Sequence, residues 1–249
     1  SGTVFGIRTG DMGVLKDETK GPNFQPGIQI QSKYLLLAEG CRGHLGKKII
    51  SEYSLNEQSE HQTYGIGLKE LWQVSDENSS PGYVQHSIGW PLTDDVYGGS
   101  FLYHLDKNLV SIGMVIGLDY QNPHMSPYEE FQRFKTHPTI KKILMNGKRI
   151  SYGARALNEG GWQSLPKLIF PGGALIGCEA GTLNTPKIKG THTAMKSGMI
   201  ASESVFNSLC DNRKNDLLEC YQKNFYASWA GKELKKARNV RPSFKWGLK

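Results

Sequence analysis

The stretch FPGGALIGCEAGTLNTPKIKGTHTAMKSG, residues 170–198, decides the fold of this chain. An apolar run at 174–177 leads into a loop of small residues, and a helix is predicted to begin after Gly190. Small residues allow close approach to the backbone, and the free amides and positive dipole end of a helix attract an anion. The pattern alone is equally compatible with a plain turn.

Both the start and the end of the chain show the apolar strands followed by helices that are typical of an α/β domain. Short strands are predicted at 3–8, 27–30 and 34–38, and the last of these is apolar enough for a sheet covered on both faces. Glu39 and Gly40 stop that strand, and a helix is predicted at 43–53. Toward the end, apolar residues at helical intervals predict one helix after Gly190 and a second at 216–237.

The middle of the chain is predicted to be a sheet. Four candidate strands, joined by short polar turns, indicate an antiparallel meander; they are residues 63–74, 84–90, 99–105 and 110–118. A helix is then expected to begin at Pro127 and to end at Pro138. The fold class is therefore α/β (α+β), with a mostly antiparallel sheet domain inserted between two parts of a nucleotide-binding domain.

Composition limits the possible partners. The 249 residues carry a net charge of +7, which favours anionic lipid or an acidic protein, but the basic residues are scattered and nucleic-acid binding is not expected. No apolar run approaches the length of a membrane span, so any membrane attachment is expected to be peripheral. The four cysteines form no Cys-x-x-Cys pair, and no metal site is expected within this chain.

The motifs also resemble those of one known family. Segment 170–198 is similar to the second flavin-binding motif of the electron transfer flavoprotein-ubiquinone oxidoreductase family, in which PKIKGTHTAMKSG is distinctive. AEGCRGHL at 38–45 resembles a further flavin-side motif. Related flavin hydroxylases begin the loop with Gly-Asp where this chain has Gly177-Cys178, so no ribityl role is expected for the Cys178 side chain. Five more segments match, at 62–72, 89–92, 97–105, 117–123 and 152–161.

The resemblance implies a p-hydroxybenzoate hydroxylase-like fold with two binding sites. Its domains are an FAD-binding Rossmann-like part at 1–60, a ubiquinone-binding sheet domain at 61–165, a return to the FAD domain at 166–212, and a helical segment at 213–249. The expected FAD-binding residues are Glu39, Gly40, Gly177, Gly181, Asn184, Gly190 and Thr191. The expected ubiquinone-binding residues are Tyr97, Gly98 and Gly99. No catalytic side chain is expected, because electron transfer needs no general base.

Several of these residues also have plain structural interpretations. Asn184 either tunes the flavin potential or orders its loop as an Asx-turn, and Gly98-Gly99 either contacts the quinone or forms a bulge where the strand starts. Phe101 and Tyr103 either line the quinone pocket or belong to the core.

The implied activity is electron transfer from reduced electron transfer flavoprotein through FAD and a 4Fe-4S cluster to ubiquinone. It would take place at the matrix face of the mitochondrial inner membrane, or at a bacterial inner membrane. The chain lacks the family's N-terminal Gly-x-Gly-x-x-Gly turn and its C-terminal four-cysteine cluster domain, so it is expected to be a central fragment, inactive alone, that does not ligate the cluster.

Two alternatives remain open at the level of sequence. One is an NAD(P)H-dependent flavin reductase or hydroxylase of the same fold. In such an enzyme NADPH would reduce the flavin, and so bleach it, rapidly. The other is a non-enzymatic peripheral membrane module, which would float with liposomes without flavin.

Overall fold

The computed structural model describes residues 2–246 and divides the chain into two compact units. Unit 1 comprises Ser1–Ser59, Leu165–Thr182 and Gly190–Glu233. Unit 2 comprises Glu60–Ser164, Leu183–Lys189 and Leu234–Lys249.

Twelve strands and seven α-helices make up the described part of the chain. The strands are β1 Gly6–Arg8, β2 Met12–Val14, β3 Lys20–Gln25, β4 Gln29–Gln31, β5 Leu35–Leu37, β6 Tyr64–Gln73, β7 Val84–Ile88, β8 Gly98–His104, β9 Leu109–Gly117, β10 Lys148–Asn158, β11 Ile169–Phe170 and β12 Gly173–Leu175. The helices are α1 His44–Glu52, α2 Pro127–Lys135, α3 Pro138–Leu144, α4 Thr191–Cys210, α5 Glu219–Ala227, α6 Trp229–Lys236 and α7 Val240–Ser243.

Unit 1 is built around a three-stranded sheet of order β11-β12-β5, in which β12 and β5 are parallel. The apolar runs at 34–38 and 174–177 were correctly predicted as its strands. Two small antiparallel pairs, β1 with β4 and β2 with β3, precede it. The strands β2 and β3 were not predicted, because most of their residues are exposed and show no apolar alternation.

The predicted helix at 216–237 is wrong, since Ser228 divides it into α5 and α6. Ser228 is extended, with φ −68° and ψ 166°. Its hydroxyl oxygen accepts a hydrogen bond from Gly231 N at 3.3 Å. A serine oxygen of this kind caps a new helix by satisfying one of its free amides.

Unit 2 contains a five-stranded antiparallel sheet of order β10-β6-β9-β8-β7. The predicted meander is therefore only partly correct: β7, β8 and β9 form one, but β6 pairs with β9 and β10 rather than with β7. Strand β10 was missed because eight of its eleven residues are exposed, so it carries no alternating pattern. Pro138 does not close the helical region; it begins α3, because a proline is tolerated in the first turn of a helix.

One face of this sheet forms the core of unit 2. Side chains of β8 and β9, such as Leu102 and Ile112, are buried there against α2 and α3. Each fully buried aliphatic side chain contributes about 1.5–3 kcal/mol relative to exposure. The helices contribute Phe131, Phe134, Ile140 and Leu144.

Candidate functional site

The carboxyl ends of β5 and β12 bring two sequence-predicted segments together in unit 1. The strands are parallel, with Leu37 opposite Leu175, and Ile176 N donates to Leu37 O at 3.0 Å. The segments that leave them, with Glu39-Gly40 on one side and Gly177 on the other, therefore emerge at the same edge. Ligands of open α/β sheets bind at this kind of edge.

The loop after β12 needs its glycines for conformational reasons. Gly177 has φ +60° and Gly181 has φ +80°, values that side chains disfavour. Gly177 N donates to Ser197 Oγ at 2.8 Å, which ties the loop to α4. These two φ values and this hydrogen bond define the shape of the loop directly after β12.

The start of α4 has the chemistry of an anion-binding helix terminus. Its N-cap residue, Gly190, provides no side-chain cap, and no acidic residue lies in the first turn. Thr191 is exposed. In the preceding loop, Thr182 Oγ1 is buried and has no hydrogen-bond partner among the described residues. An uncapped positive dipole end and an unsatisfied hydroxyl are both suited to a bound polar group.

Glu39 caps α1 with its carboxylate. Its Oε2 accepts hydrogen bonds from Leu45 N and Gly46 N, each at 2.9 Å. Since these contacts satisfy free amides of the helix, they give Glu39 a structural role in addition to the predicted flavin contact. Gly40 has φ +97° and turns the chain from β5 toward α1.

Glu179 is a second carboxyl group at this helix start, and sequence reasoning missed it. It is 6% exposed, and a Cβ at Gly46 would overlap its carboxyl group. Burial raises the pKa of Glu179, and the nearby charge of Glu39 raises it further. A glutamate in a loop is usually exposed, so its burial gave no signal in the sequence.

Asn184 lies in unit 2, where it forms the local turn. Its Oδ1 accepts from Lys187 N at 3.2 Å, and its backbone pairs with Lys189. The side chain is 2% exposed. Asn184 therefore orders its loop, but not as an Asx-turn, because the residue two positions on is Pro186, which has no N–H. A contact between Asn184 and a flavin stays a prediction.

The face of the unit 2 sheet opposite the core is rich in glycine. In the strand register Gly65 lies opposite Gly117, and Val115 lies opposite both Gly67 and Gly99. Directly opposed residues point to the same face of a sheet. Together with Gly113, which is opposite Phe101, these form what we call the glycine face: Gly65, Gly67, Gly99, Gly113 and Gly117.

Because glycines carry no side chain, neighbouring groups pack directly on the backbone of this face, as the Phe101 ring does at Gly113 and the Tyr97 ring does at Gly117. Phe101 and Tyr103 alternate onto the same face as Gly99, and their rings stack at 4.9 Å between centroids. They are therefore not part of the core of unit 2. Tyr103 OH accepts a hydrogen bond from Lys189 Nζ at 2.9 Å.

The three residues predicted to bind quinone divide between the two faces. Gly98 belongs to the core face, where a Cβ would overlap Leu92 Cδ1. Gly99 belongs to the glycine face, and a Cβ there would lie 2.9 Å from Ser87 O. Both pair in register with β9, so the strand has no bulge at this point. The Tyr97 ring packs beside Gly117.

Polar and charged side chains gather at the Tyr97 end of the glycine face. The Arg241 guanidinium lies 4.1 Å from the centroid of the Tyr97 ring and donates to Asp119 Oδ2 at 2.7 Å. All three residues line a cavity of about 450 Å³. Glu159, which sequence reasoning missed, is 2% exposed, and burial raises its pKa to about 7.

The described residues contain neither a helix that could span a membrane nor a cluster of metal ligands. Among residues 2–246, no helix combines the length and apolar character that crossing a bilayer requires. Within the same part of the chain, no three His, Cys, Asp or Glu side chains are grouped so that they could hold a metal ion.

Comparison with known proteins agrees with the sequence motifs. Residues 64–157 match the family described as ETF-QO, ubiquinone-binding. The chain is 54% identical over 249 residues to the mitochondrial electron transfer flavoprotein-ubiquinone oxidoreductase of Homo sapiens, covering 97% of this chain and 40% of the relative. The corresponding protein of Oryza sativa subsp. japonica is 53% identical over 247 residues, covering 98% of this chain and 42% of the relative. The chain thus spans about two fifths of the length of these relatives.

Solved structures establish the fold. A geranylgeranyl bacteriochlorophyll reductase-like protein from Thermoplasma acidophilum matches with a TM-score of 0.70 at 16% identity, covering 94% of this chain and 57% of that chain. A flavin-dependent brominase matches with a TM-score of 0.58 at 17% identity, covering 97% of this chain and 58% of that chain. The predicted α/β (α+β) fold of the p-hydroxybenzoate hydroxylase type is confirmed.

Proposed function

Since the chain belongs by sequence to the electron transfer flavoprotein-ubiquinone oxidoreductase family, we propose that it provides part of the FAD site and the ubiquinone side of such an electron carrier. The observation that carries the proposal is the glycine face. All five of its glycines lie within residues 64–157, the segment that matches the ubiquinone-binding family. Flat rings already approach the backbone of this face, as Phe101 does at Gly113 and Tyr97 does at Gly117, and a flat quinone ring would use the same surface.

Unit 1 would hold FAD at the edge formed by β5 and β12. The backbone around Gly177 and Gly181 would approach the cofactor, while Gly190 and Thr191 would direct the positive end of α4 toward it. Gly40 would shape the adjacent turn, Glu39 would hold α1 in place, and Asn184 would adjust the flavin potential. When bound, FAD supplies the electron-transfer chemistry, and the protein supplies position and electrostatics.

Unit 2 would bind the ubiquinone ring against the glycine face. Gly99 would present a backbone without a side chain where β8 pairs with β7, with Phe101 and Tyr103 on one side along the strand and Tyr97 on the other. Gly98 would act indirectly, since it lets β8 pack against Leu92 and so sets the position of Gly99.

The rest of the electron route would lie outside these residues. Reduced electron transfer flavoprotein would deliver electrons, and a 4Fe-4S cluster would be held elsewhere in the parent enzyme. The curated relatives are named mitochondrial, which supports a place at the inner membrane. The net charge of +7 would favour a peripheral contact with anionic lipid.

The test of this function uses the full-length protein that contains this chain. We expect it to carry FAD, to accept electrons from reduced electron transfer flavoprotein, and to reduce ubiquinone in a stopped-flow experiment. Rapid flavin bleaching by NADPH with no quinone reduction would instead support a reductase or hydroxylase. Liposome flotation of a flavin-free preparation without any quinone effect would support a membrane module.

Alanine at Gly99 is expected to weaken ubiquinone binding about tenfold. A Cβ there would lie 2.9 Å from Ser87 O and 3.4 Å from Ile88 Cγ2, so the β7 edge must shift under the bound ring. A displacement of this size costs on the order of 1–2 kcal/mol. The loss of affinity is measured as the change in the equilibrium Kd of a soluble ubiquinone analogue.

Gly153→Ala is the matched control. Gly153 lies on the same side of the sheet as the glycine face, but on the edge strand β10, three strands away from Gly99, and a Cβ there would meet nothing within 4 Å. The Gly153→Ala variant is expected to bind the ubiquinone analogue with the same affinity as the wild type. Equal affinities for both variants would remove Gly99 from the proposed quinone site.

A further inference from the structure

Glu159 is a buried carboxyl group for which the electron route gives no role. Its side chain is 2% exposed, and its Oε2 has no hydrogen-bond partner among the described residues. A buried carboxylate that lacks partners is costly, so such a site favours the protonated form. Burial raises the pKa of Glu159 to about 7. At neutral pH the group is therefore divided between its protonated and its ionised form.

The carboxyl group of Glu159 lies on the glycine face. A Cβ at Gly65 would lie 2.6 Å from Glu159 Cδ, so the carboxyl covers this glycine. Gly65 lies directly opposite Gly117, and a Cβ at Gly117 would lie 3.2 Å from Tyr97 Cδ1. The carboxyl and the phenol ring thus occupy neighbouring positions on one face.

The electrostatics agree with this proximity. Burial raises the pKa of Tyr97, and the charge of ionised Glu159 raises it further. Two charged groups act on Glu159 from other elements. Arg241 on α7 lowers its pKa, and Asp119, which follows β9, raises it. The remaining polar contacts are uncharged: the backbone N of Glu159 donates to Thr63 O at 2.8 Å, and its O accepts from Thr185 Oγ1 at 3.3 Å.

We propose that Glu159 donates a proton to a quinone bound against the glycine face; this rests on the function proposed above. Reduction of ubiquinone to ubiquinol takes up two electrons, which come from reduced flavin, and two protons, one at each quinone oxygen. One proton leaves the Glu159 carboxyl, which becomes a carboxylate and is then reprotonated from solvent. The second proton comes directly from solvent. The charge of Arg241 stabilises the carboxylate while the proton is away.

The kinetic test uses the full-length, FAD-loaded enzyme. Glu159→Gln is expected to slow ubiquinone reduction about 100-fold below neutral pH, a typical effect of losing a positioned acid. The wild-type rate is expected to fall as pH rises through about 7, where Glu159 loses its proton. The variant's rate should lack this break. Flavin reduction by electron transfer flavoprotein and the ubiquinone Kd should not change.

Glu130→Gln is the control, because it makes the same substitution at a side chain that pairs with Arg133 within α2, the helix that packs against the opposite, core face of the sheet. It is expected to keep the wild-type rate and pH profile. If Glu159→Gln fails to fold, Glu159→Asp serves instead, since it keeps the acid but shortens its reach. That variant should be slow and should retain the pH break, and a wild-type rate for it would overturn the proposal.

Infrared difference spectroscopy of the quinone-free protein provides a readout that does not depend on turnover. A carboxylic C=O band should disappear as pH rises through about 7 and should be absent in Glu159→Gln. Because the charge of Asp119 raises the pKa of Glu159 and that of Arg241 lowers it, Asp119→Asn should move this midpoint down and Arg241→Gln should move it up.

The two proposals fail in different ways. A wild-type enzyme that neither binds nor reduces ubiquinone would overturn the proposed function. A wild-type enzyme that reduces ubiquinone, with Glu159→Gln matching its rate at every pH, would overturn the proton-donor proposal alone. Absence of the titrating infrared band would do the same.

Discussion

Gly172→Ala is expected to destabilise unit 1 by about 3 kcal/mol or more. Gly172 has φ +92°, which an L side chain disfavours, and a Cβ there would overlap the backbone oxygen of Val4. The conformational cost of a positive φ is about 1–2 kcal/mol, and overpacking against a fixed backbone adds about 1–3 kcal/mol. Hydrogen exchange of unit 1 amides during urea unfolding measures the loss.

Gly198→Ala is the matched control for this prediction. Gly198 lies within α4 of the same unit, and a Cβ there would meet nothing within 4 Å. The helix should gain about 0.5–1 kcal/mol, because alanine restricts the unfolded chain and favours the helix. The two variants should thus change stability in opposite directions; a neutral Gly172→Ala would show that the turn relaxes without cost.

Glu70→Gln is expected to cost unit 2 about 3 kcal/mol at neutral pH. Glu70 is 3% exposed on the core face and accepts hydrogen bonds from Lys135 Nζ at 2.9 Å, Arg149 Nη1 at 3.0 Å and Trp72 Nε1 at 2.8 Å. The amide cannot satisfy both cations, so Lys135, whose side chain is 14% exposed, loses its partner in a partly buried place. Thermal or urea unfolding of unit 2 measures the difference.

The pH dependence of Glu70 has a defined sign. Burial alone would raise its pKa, but hydrogen bonds from Lys135, Trp72 and Arg149 lower it below the usual value of 4.5. Its stabilisation is therefore complete above about pH 4.5 and is lost as pH falls through the lower pKa of the folded state. Glu70→Gln should remove this part of the acid sensitivity.

Glu130→Gln again provides the comparison. The Glu130 side chain is 14% exposed and pairs with Arg133, whose side chain is 55% exposed, so water screens this pair more than it screens the Glu70 network. Ion pairs that reach the surface in this way contribute about 0–1 kcal/mol. The expected loss is well below that of Glu70→Gln. Equal losses for the two variants would show that the buried network contributes no more than a surface pair.

The sequence by itself determined the parts of this protein that depend on local chemistry. The apolar runs at 34–38 and 174–177 predicted the parallel strands, because strands covered on both faces need continuous apolar residues. The glycine loop before α4 predicted close backbone approach, because only glycine tolerates positive φ without cost. The motif at 186–198 identified the family, which the comparisons confirm.

Only the tertiary structure decided which strands are neighbours and which polar groups are buried. Strand β6 pairs with β9 rather than with β7, since order in a sheet depends on long-range packing and not on adjacent turns. The glycine face exists only in that register, because glycines from β6, β8 and β9 meet there. Glu159 looks like any surface glutamate in the sequence. Its proton, and the role proposed for it, come from the burial that the folded sheet imposes.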